Sequence, residues 1–479
     1  MSYTEHDNKQ GGSVIITEAK DNDVVAVFMP KGGIEEETDA VDAVFGALDE
    51  RTQRYRSVTT LGAFALLTKA NIGLGVLSIP FVFQVLGIVP GIICILILQT
   101  MMGYAATIVG SFKLNHPEVY DLADAGYVFG GRWVREILYV FFFMFCVIAG
   151  SGAMVSLSAA LNAISSHAAC TAIFIAAMAA VGFILGSIPT LSRITWIGWV
   201  GLICLMASLL TLTISVGVQD RPADAPQPPL PWTREINVIG HPSFTEAMAA
   251  ISSYVALFFP KVQPLTASFN IVSEMRDPRG YNKAMLTSIG LITIIYLVIG
   301  GVVYSFCGQY VSSPALGSAG PLMKKVCYGL VMPSILAGMT IFMHLGAKHV
   351  FIRVLRGSHH LTHPTRTHYV VWFSTVFGIT ALSYIFASAI PNFSSIIGFF
   401  GALVVPACAI IPYPFMWWHD SWRYATPEER TTKRRVLLWI NMFIALVGFY
   451  ITIAGVYGAG VELVKASSKR GPWSCADNS

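Results

Sequence analysis

Between residues 57 and 458 the chain reads as eleven long apolar stretches separated by short polar ones: residues 57–86, 88–111, 137–164, 170–190, 194–219, 244–273, 284–308, 326–347, 369–390, 393–418 and 436–458. A helix crosses the hydrocarbon of a bilayer with roughly 20 mostly apolar residues. The pattern therefore predicts an all-α polytopic membrane protein of eleven transmembrane helices. Residues 1–56 are polar, carry the acidic run Glu35, Glu36, Glu37 and Asp39, and have too few apolar residues to bury a core. They read as a disordered cytoplasmic tail. Residues 459–479 read as a short extracellular C-terminal tail.

Two of the stretches are interrupted. The first contains K-A-N-I-G-L-G-V-L-S-I-P from Lys69 to Pro80, in which Asn71, Gly73 and Gly75 weaken the helix beside a lysine. The sixth contains A-L-F-F-P-K-V-Q-P-L-T-A-S-F-N, where Pro260 and Pro264 each remove a helix hydrogen bond and Lys261 adds a charge. Backbone that leaves the helix at membrane depth is tolerated only where protein or a watery cavity satisfies the freed groups, so each break predicts an internal cavity. A half-helix that begins after a break points N–H groups at an anion, and one that ends before it offers carbonyls to a cation. That pair of ends suits a zwitterion, of which an amino acid is the obvious case. Breaks five spans apart are the spacing of two five-helix repeats of inverted topology, with the site between them. The eleventh span is then peripheral.

Composition agrees with this pattern. The chain is 54% hydrophobic and 12% charged, against about 25% charged for soluble domains. No early apolar run has the flanks of a cleaved secretory signal, so the first span is expected to direct its own insertion. Most of the 31 Lys and Arg fall in the tail and the even-numbered loops, with Arg51, Arg54 and Arg56 next to the first span. The alternate loops and C-terminal tail hold only Arg221, Arg234, Lys324, Lys325, Lys465, Lys469 and Arg470. The positive-inside tendency then places the N-terminus in the cytoplasm and the C-terminus outside. The segment 220–242, with Pro222, Pro226, Pro228, Pro229 and Pro231, is expected to be an extended extracellular connector. Cys94, Cys146, Cys170, Cys204, Cys307, Cys327 and Cys408 lie in or beside apolar stretches and read as small core residues, a Cys307–Cys327 bridge being the alternative.

The series K-A-N-I-G-L-G-V-L-S-I-P-F resembles the first-helix signature of the amino acid/auxin permease family, within the amino acid–polyamine–organocation superfamily. E-M-R-D-P-R-G-Y-N-K-A, from Glu274 to Ala284, is similar to that family's loop after the sixth helix. D-L-A-D-A-G-Y-V-F-G, from Asp121 to Gly130, resembles its loop between helices two and three. The resemblance covers about residues 57–458 and is nearest to fungal permeases for neutral and aromatic amino acids. It implies a leucine-transporter-like fold with discontinuous helices 1 and 6, import across the plasma membrane, and coupling to protons without a cofactor. Carried onto this sequence, it implies that Asn71, Ile72, Gly73, Leu74 and Gly75 surround the substrate carboxylate, and that Phe258, Phe259 and Pro260 shape the side-chain pocket. Lys261 and Gln263 depart from the family's commoner sixth-helix motifs. Lys69 would stand where sodium-coupled proteins of this fold bind a cation between helices one and eight, with Ser334 and Thr340 as oxygens facing it.

Each of these residues has a plainer reading. Lys69 can snorkel to the cytoplasmic interface, and Ser334 and Thr340 can bond their own helix. Lys261 reads either as a guide for a carboxylate or as a charge near extracellular water. The third-span run Gly150, Ser151, Gly152, Ser156 reads as a close-packing surface or, through Ser151, as a substrate contact. His344 reads as an interior residue or as part of a proton path. His116 and Asp121 match a His-x4-Asp spacing used by some membrane acyltransferases, and His359, His360, His363 and His368 form a possible metal group. No phosphate-binding glycine pattern supports ATP-driven transport. The expected partners are the lipid bilayer and a neutral amino acid substrate, with no nucleic acid, and regulatory partners would act on the N-terminal tail. The rival readings are a vacuolar amino acid transporter, a non-transporting amino-acid sensor and, as the enzyme alternative, the acyltransferase.

Overall fold

A computed structural model describes residues 6–8, 12–16, 26–27, 41–42, 46–47 and 59–478, except 73, 117–118, 120, 189–190, 227–229, 257–274, 276, 357, 362, 364, 390–392 and 468–471. It divides into two units, Met1–Gln53 and Arg54–Ser479. In the first, strand His6–Asn8 pairs antiparallel with Gly12–Ile16, which pairs with Ala26–Val27, and Val41–Asp42 pairs with Gly46–Ala47. The expectation of disorder there falls mainly on residues outside the described ones.

The second unit is helical. Seven of its described helices are long and apolar enough to cross a membrane. The remaining predicted spans are built from shorter pieces. The first span is α1 (Thr60–Asn71), a 3-10 turn (Leu74–Ser78) and α2 (Ile79–Leu86). There follow α3 (Ile88–Asn115), α4 (Leu122–Ser165), α5 (Thr171–Gly186) and α6 (Leu191–Val218). The sixth span begins as α7 (Phe244–Ala256), and its predicted break at Pro260, Lys261 and Pro264 lies outside the described residues. Next are α8 (Tyr281–Cys307), α9 (Pro321–Leu355) and α10 (Arg366–Ala389). The tenth span is divided into α11 (Phe393–Leu403), α12 (Val405–Ala409) and α13 (Pro412–Trp418), and α14 (Thr432–Ser467) is the eleventh.

Division of the tenth span was not expected. Pro406 and Pro412 lack the N–H that would continue the ladder, and the N–H groups of Ile410 and Ile411 both turn back to the Pro406 carbonyl, at 3.0 and 2.9 Å. The third span also starts earlier than the apolar pattern implies. Asp121 caps a leading helical segment, its Oδ1 accepting from the Asp124 N–H at 2.8 Å. That segment meets the span at Gly131, whose φ of 74° is open to glycine.

Packing explains how the bundle closes. The most extensive helix pairs are α9 with α6 and α4, followed by α14 with α7, α11 with α14 and α7, and α1 with α8. One continuous apolar core runs through nearly all of them. Among its described residues the proline-rich connector turns where the Ala225 N–H reaches the Pro222 carbonyl at 3.0 Å, and its later part is bound to the junction of the first two spans. Its Asn237 and Val238 carbonyls accept from Ile88 and Val89 at 3.0 Å each, and Gly240 donates to the Leu86 carbonyl at 2.9 Å. Gly87 turns the chain there with φ 89°, and a Cβ on it would lie 2.5 Å from the Gly240 nitrogen.

Candidate functional site at the first break

Thr59 starts α1 by accepting from the Gly62 N–H at 3.1 Å, and the helix runs until Ile72, whose N–H still reaches the Thr68 carbonyl at 3.1 Å. Ile72 itself is extended, with φ −87° and ψ 117°. The glycines account for the stop, since each costs about 1 kcal/mol relative to alanine in a helix interior. The chain then tightens into the 3-10 turn and re-enters a helix with Pro80 in its first turn, where a missing N–H costs no bond. The predicted interruption of the first span is therefore present.

Neighbours hold the break in place. Thr68 donates to Ser288 at 3.0 Å, both buried, tying the end of α1 to α8. The 3-10 turn and α2 pack against α7 and α8. Phe83 on α2 meets Tyr254 on α7 and Tyr304 on α8 edge to face, each at 6.4 Å. The gap in the first span thus lies beside the helix that begins the sixth. Ile72 is buried and Gly75 half-buried. Gly73, Phe258, Phe259, Pro260, Lys261 and Gln263 lie outside the described residues, as do the side chains of Lys69, Asn71 and Leu74.

The other predicted residues sit elsewhere. Thr340 is fully buried and donates to the Leu336 carbonyl of its own helix at 2.8 Å. Ser334 packs against the fifth span, where a Cβ on Gly201 would stand 3.0 Å from its Cα. Among the described contacts neither is paired with α1. Ser151 is also fully buried, donating to the Ile148 carbonyl at 2.7 Å. Beside it a Cβ on Gly150 would fall 1.9 Å from Met343 Cε and 3.0 Å from Ser383 Oγ. The small residues of α4 therefore admit α9 and α10 closely, as small residues do between membrane helices. His344 is buried edge-on to Trp372, with ring centres 5.2 Å apart.

His116 and Asp121 do not meet as the acyltransferase spacing requires. His116 Nε2 lies 2.8 Å from Asp420 Oδ1, whereas Asp121 Oδ2 lies 3.8 Å from His349 Nδ1. Burial raises the Asp121 carboxyl above its ordinary value, against the opposing pull of the Asp124 and Ala123 N–H groups and the charges of Arg135 and Arg356. His349 stacks on Tyr139 at 4.0 Å, and Arg353 covers that ring at 4.1 Å while pairing with Glu136. His360 bonds Thr365 Oγ1 and His368 bonds the His360 carbonyl, each at 2.9 Å, which organises the loop between α9 and α10. Among the described residues, that histidine group does not gather as metal ligands. A small apolar recess lies between α3, the broken tenth span and α14, lined by Met102, Tyr413 and Ile444 among others and by none of the residues at the first break.

One cysteine expectation is corrected: Cys170, read as a core residue, is bonded to Cys475 in the C-terminal tail. Cys307 and Cys327 are both free and buried, as the core reading expects and against the alternative bridge. The tail is further held by Asn478, which accepts from Asn162 at 2.8 Å and donates to Ser158 at 2.9 Å, and by Trp473, whose N–H reaches the Ser388 carbonyl at 2.8 Å. The only sequence signal was that Cys475 alone stands outside the apolar stretches.

Residues 56–458 match the family model described as transmembrane amino acid transporter protein. The chain is 32% identical over 432 residues to a transmembrane transporter of Gibberella moniliformis, covering 89% of each. It is 30% identical over 419 residues to the N amino acid transport system protein of Neurospora crassa, covering 85% of each. Among solved structures it is similar to Mhp1 in its inward-facing conformation, at 13% identity and a TM-score of 0.47, over 89% of this chain and 94% of that one. With its matched spans, broken first helix and full-length fungal relatives, the chain belongs to the transmembrane amino acid transporter family.

Proposed function

We propose that this protein is a secondary active permease that imports neutral amino acids, large apolar and aromatic ones included, across the plasma membrane with protons. The observation that carries the reading is the break between Ile72 and Ser78, set beside α7 in a chain of this family. In this reading the bundle is a leucine-transporter-like pair of inverted five-helix repeats. The family resemblance assigns the substrate carboxylate to residues 71–75 and the side-chain pocket to Phe258, Phe259 and Pro260. Lys69 is the proton-exchanging group, a role that a cation in the apolar first span supports. Alternating access follows from rocking the spans that carry the site against the others. A disulfide persists in an oxidising compartment, so the Cys170–Cys475 bond supports a C-terminus facing away from the cytoplasm.

The test is radiolabelled uptake by cells expressing the protein, across a panel of amino acids, at two external pH values, with and without sodium. Uptake should fall as external pH rises, ignore sodium and favour neutral substrates. Sodium dependence, or indifference to pH, rejects the proton assignment. Accumulation confined to vacuolar membranes rejects the plasma membrane.

A further inference from the structure

At the end of the second span, His116 follows α3 directly, and a single π-helical turn, His419–Arg423, continues from α13 beside it. Insertions of this kind often mark functional positions. The turn brings two residues from the tenth span's end onto His116. His116 Nε2 lies 2.8 Å and His419 Nδ1 3.0 Å from the same oxygen, Asp420 Oδ1. The three donor atoms lie within 4.8 Å of one another. The side chains are fixed from behind. Phe112 faces the His116 ring at 4.4 Å, Tyr424 meets His419 edge-on at 5.3 Å, and Asn115 Nδ2 donates to the other Asp420 oxygen at 3.0 Å. The site is nevertheless open to water, with His116 20% and Asp420 13% exposed.

We propose that His116, His419 and Asp420 form a site for a divalent transition-metal ion, Zn2+ foremost, that clasps the end of the second span to the end of the tenth. Two neutral imidazoles and one carboxylate are a donor set for Zn2+ and its neighbours rather than for Mg2+ or Ca2+. Zn–N and Zn–O bonds of about 2.1 Å place tetrahedral ligand atoms about 3.4 Å apart. The two pairs at 2.8 and 3.0 Å need only spread by a few tenths of an ångström, and the partial exposure leaves a fourth position for water. The Asn115 contact is then the outer hydrogen bond that orients a ligating carboxylate. Because the ligands come from segments more than 300 residues apart, the bound ion should stabilise the fold and not merely decorate its surface.

The test uses the full-length protein in detergent, with any histidine tag removed, and the metal alone. Co2+ should bind at one equivalent with the visible d–d bands of a low-coordinate nitrogen and oxygen site, and Zn2+ should displace it and raise Tm. His116→Ala and His419→Gln should each weaken Co2+ binding more than tenfold and abolish the Zn2+-dependent rise in Tm. Asn115→Ala, which keeps all three ligands, should weaken binding about tenfold. The proposal fails if the wild-type protein takes up no Co2+ at one equivalent. It also fails if His359→Ala with His363→Ala removes the bands while His419→Gln keeps them. Neither readout involves transport, so the outcome stands apart from that of the uptake assay.

Discussion

The first and third spans carry the same kind of residue run to opposite ends. In the first, I-G-L-G interrupts the helix. In the third, A-G-S-G-A passes through α4 without a break, and its hydroxyls bond back to their own carbonyls. Glycine content alone therefore does not decide where a membrane helix opens. The neighbours decide. Around Gly150 the side chains of Met343 and Ser383 fill the space that a Cβ would take, and a continuous ladder is the one arrangement that leaves no backbone group unsatisfied there. Around residues 72–78 the chain has α7 and α8 beside it and Pro80 to restart the helix, so a short unwound stretch is supported.

Substitutions at the two places should separate these roles. Gly75→Leu should lower uptake about 100-fold while the protein still purifies as a monodisperse species, since a misplacement of about 1 Å at a binding site has that scale of effect. A variant that keeps wild-type uptake would mean that the break does not position substrate. Removing the staple between the start of the fourth span and the C-terminal tail, by Cys475→Ser, should lower stability by about 2–4 kcal/mol. Thermal unfolding reads this directly, and reductant should mimic it in the wild-type protein but not in the variant. Gly150→Val crowds Met343 and should cost about 1–3 kcal/mol, seen as a lower Tm, with uptake per folded molecule little changed. If uptake per molecule collapses instead, α4 contributes more than packing. The smallest effect is expected of Thr68→Val, which loses one buried bond to Ser288 and about 1 kcal/mol of stability.

Much was legible in the sequence because the bilayer permits few solutions. A long apolar run in lipid satisfies its own backbone groups as a helix, so among the described residues each apolar stretch holds helix, in the order the pattern predicts. Glycines and a proline at spacings no helix favours marked the first opening. The third-span start, by contrast, was hidden because Asp121 caps a helix outside the apolar run, where hydropathy carries no signal. The division of the tenth span was hidden too. Pro406 and Pro412 lie in a run apolar enough to pass as one helix, and only the turning of two N–H groups onto one carbonyl reveals the break.

By itself, the sequence determined that this is a membrane bundle with an opened first helix, because burial in lipid and the helix cost of glycine are local properties. Tertiary structure alone decided which distant side chains meet: His116 with Asp420, Asp121 with His349, Thr68 with Ser288, Cys170 with Cys475. Those pairings depend on how helices remote in the chain are set side by side, and pairwise proximity across hundreds of residues leaves no trace in the periodicity or composition of either partner.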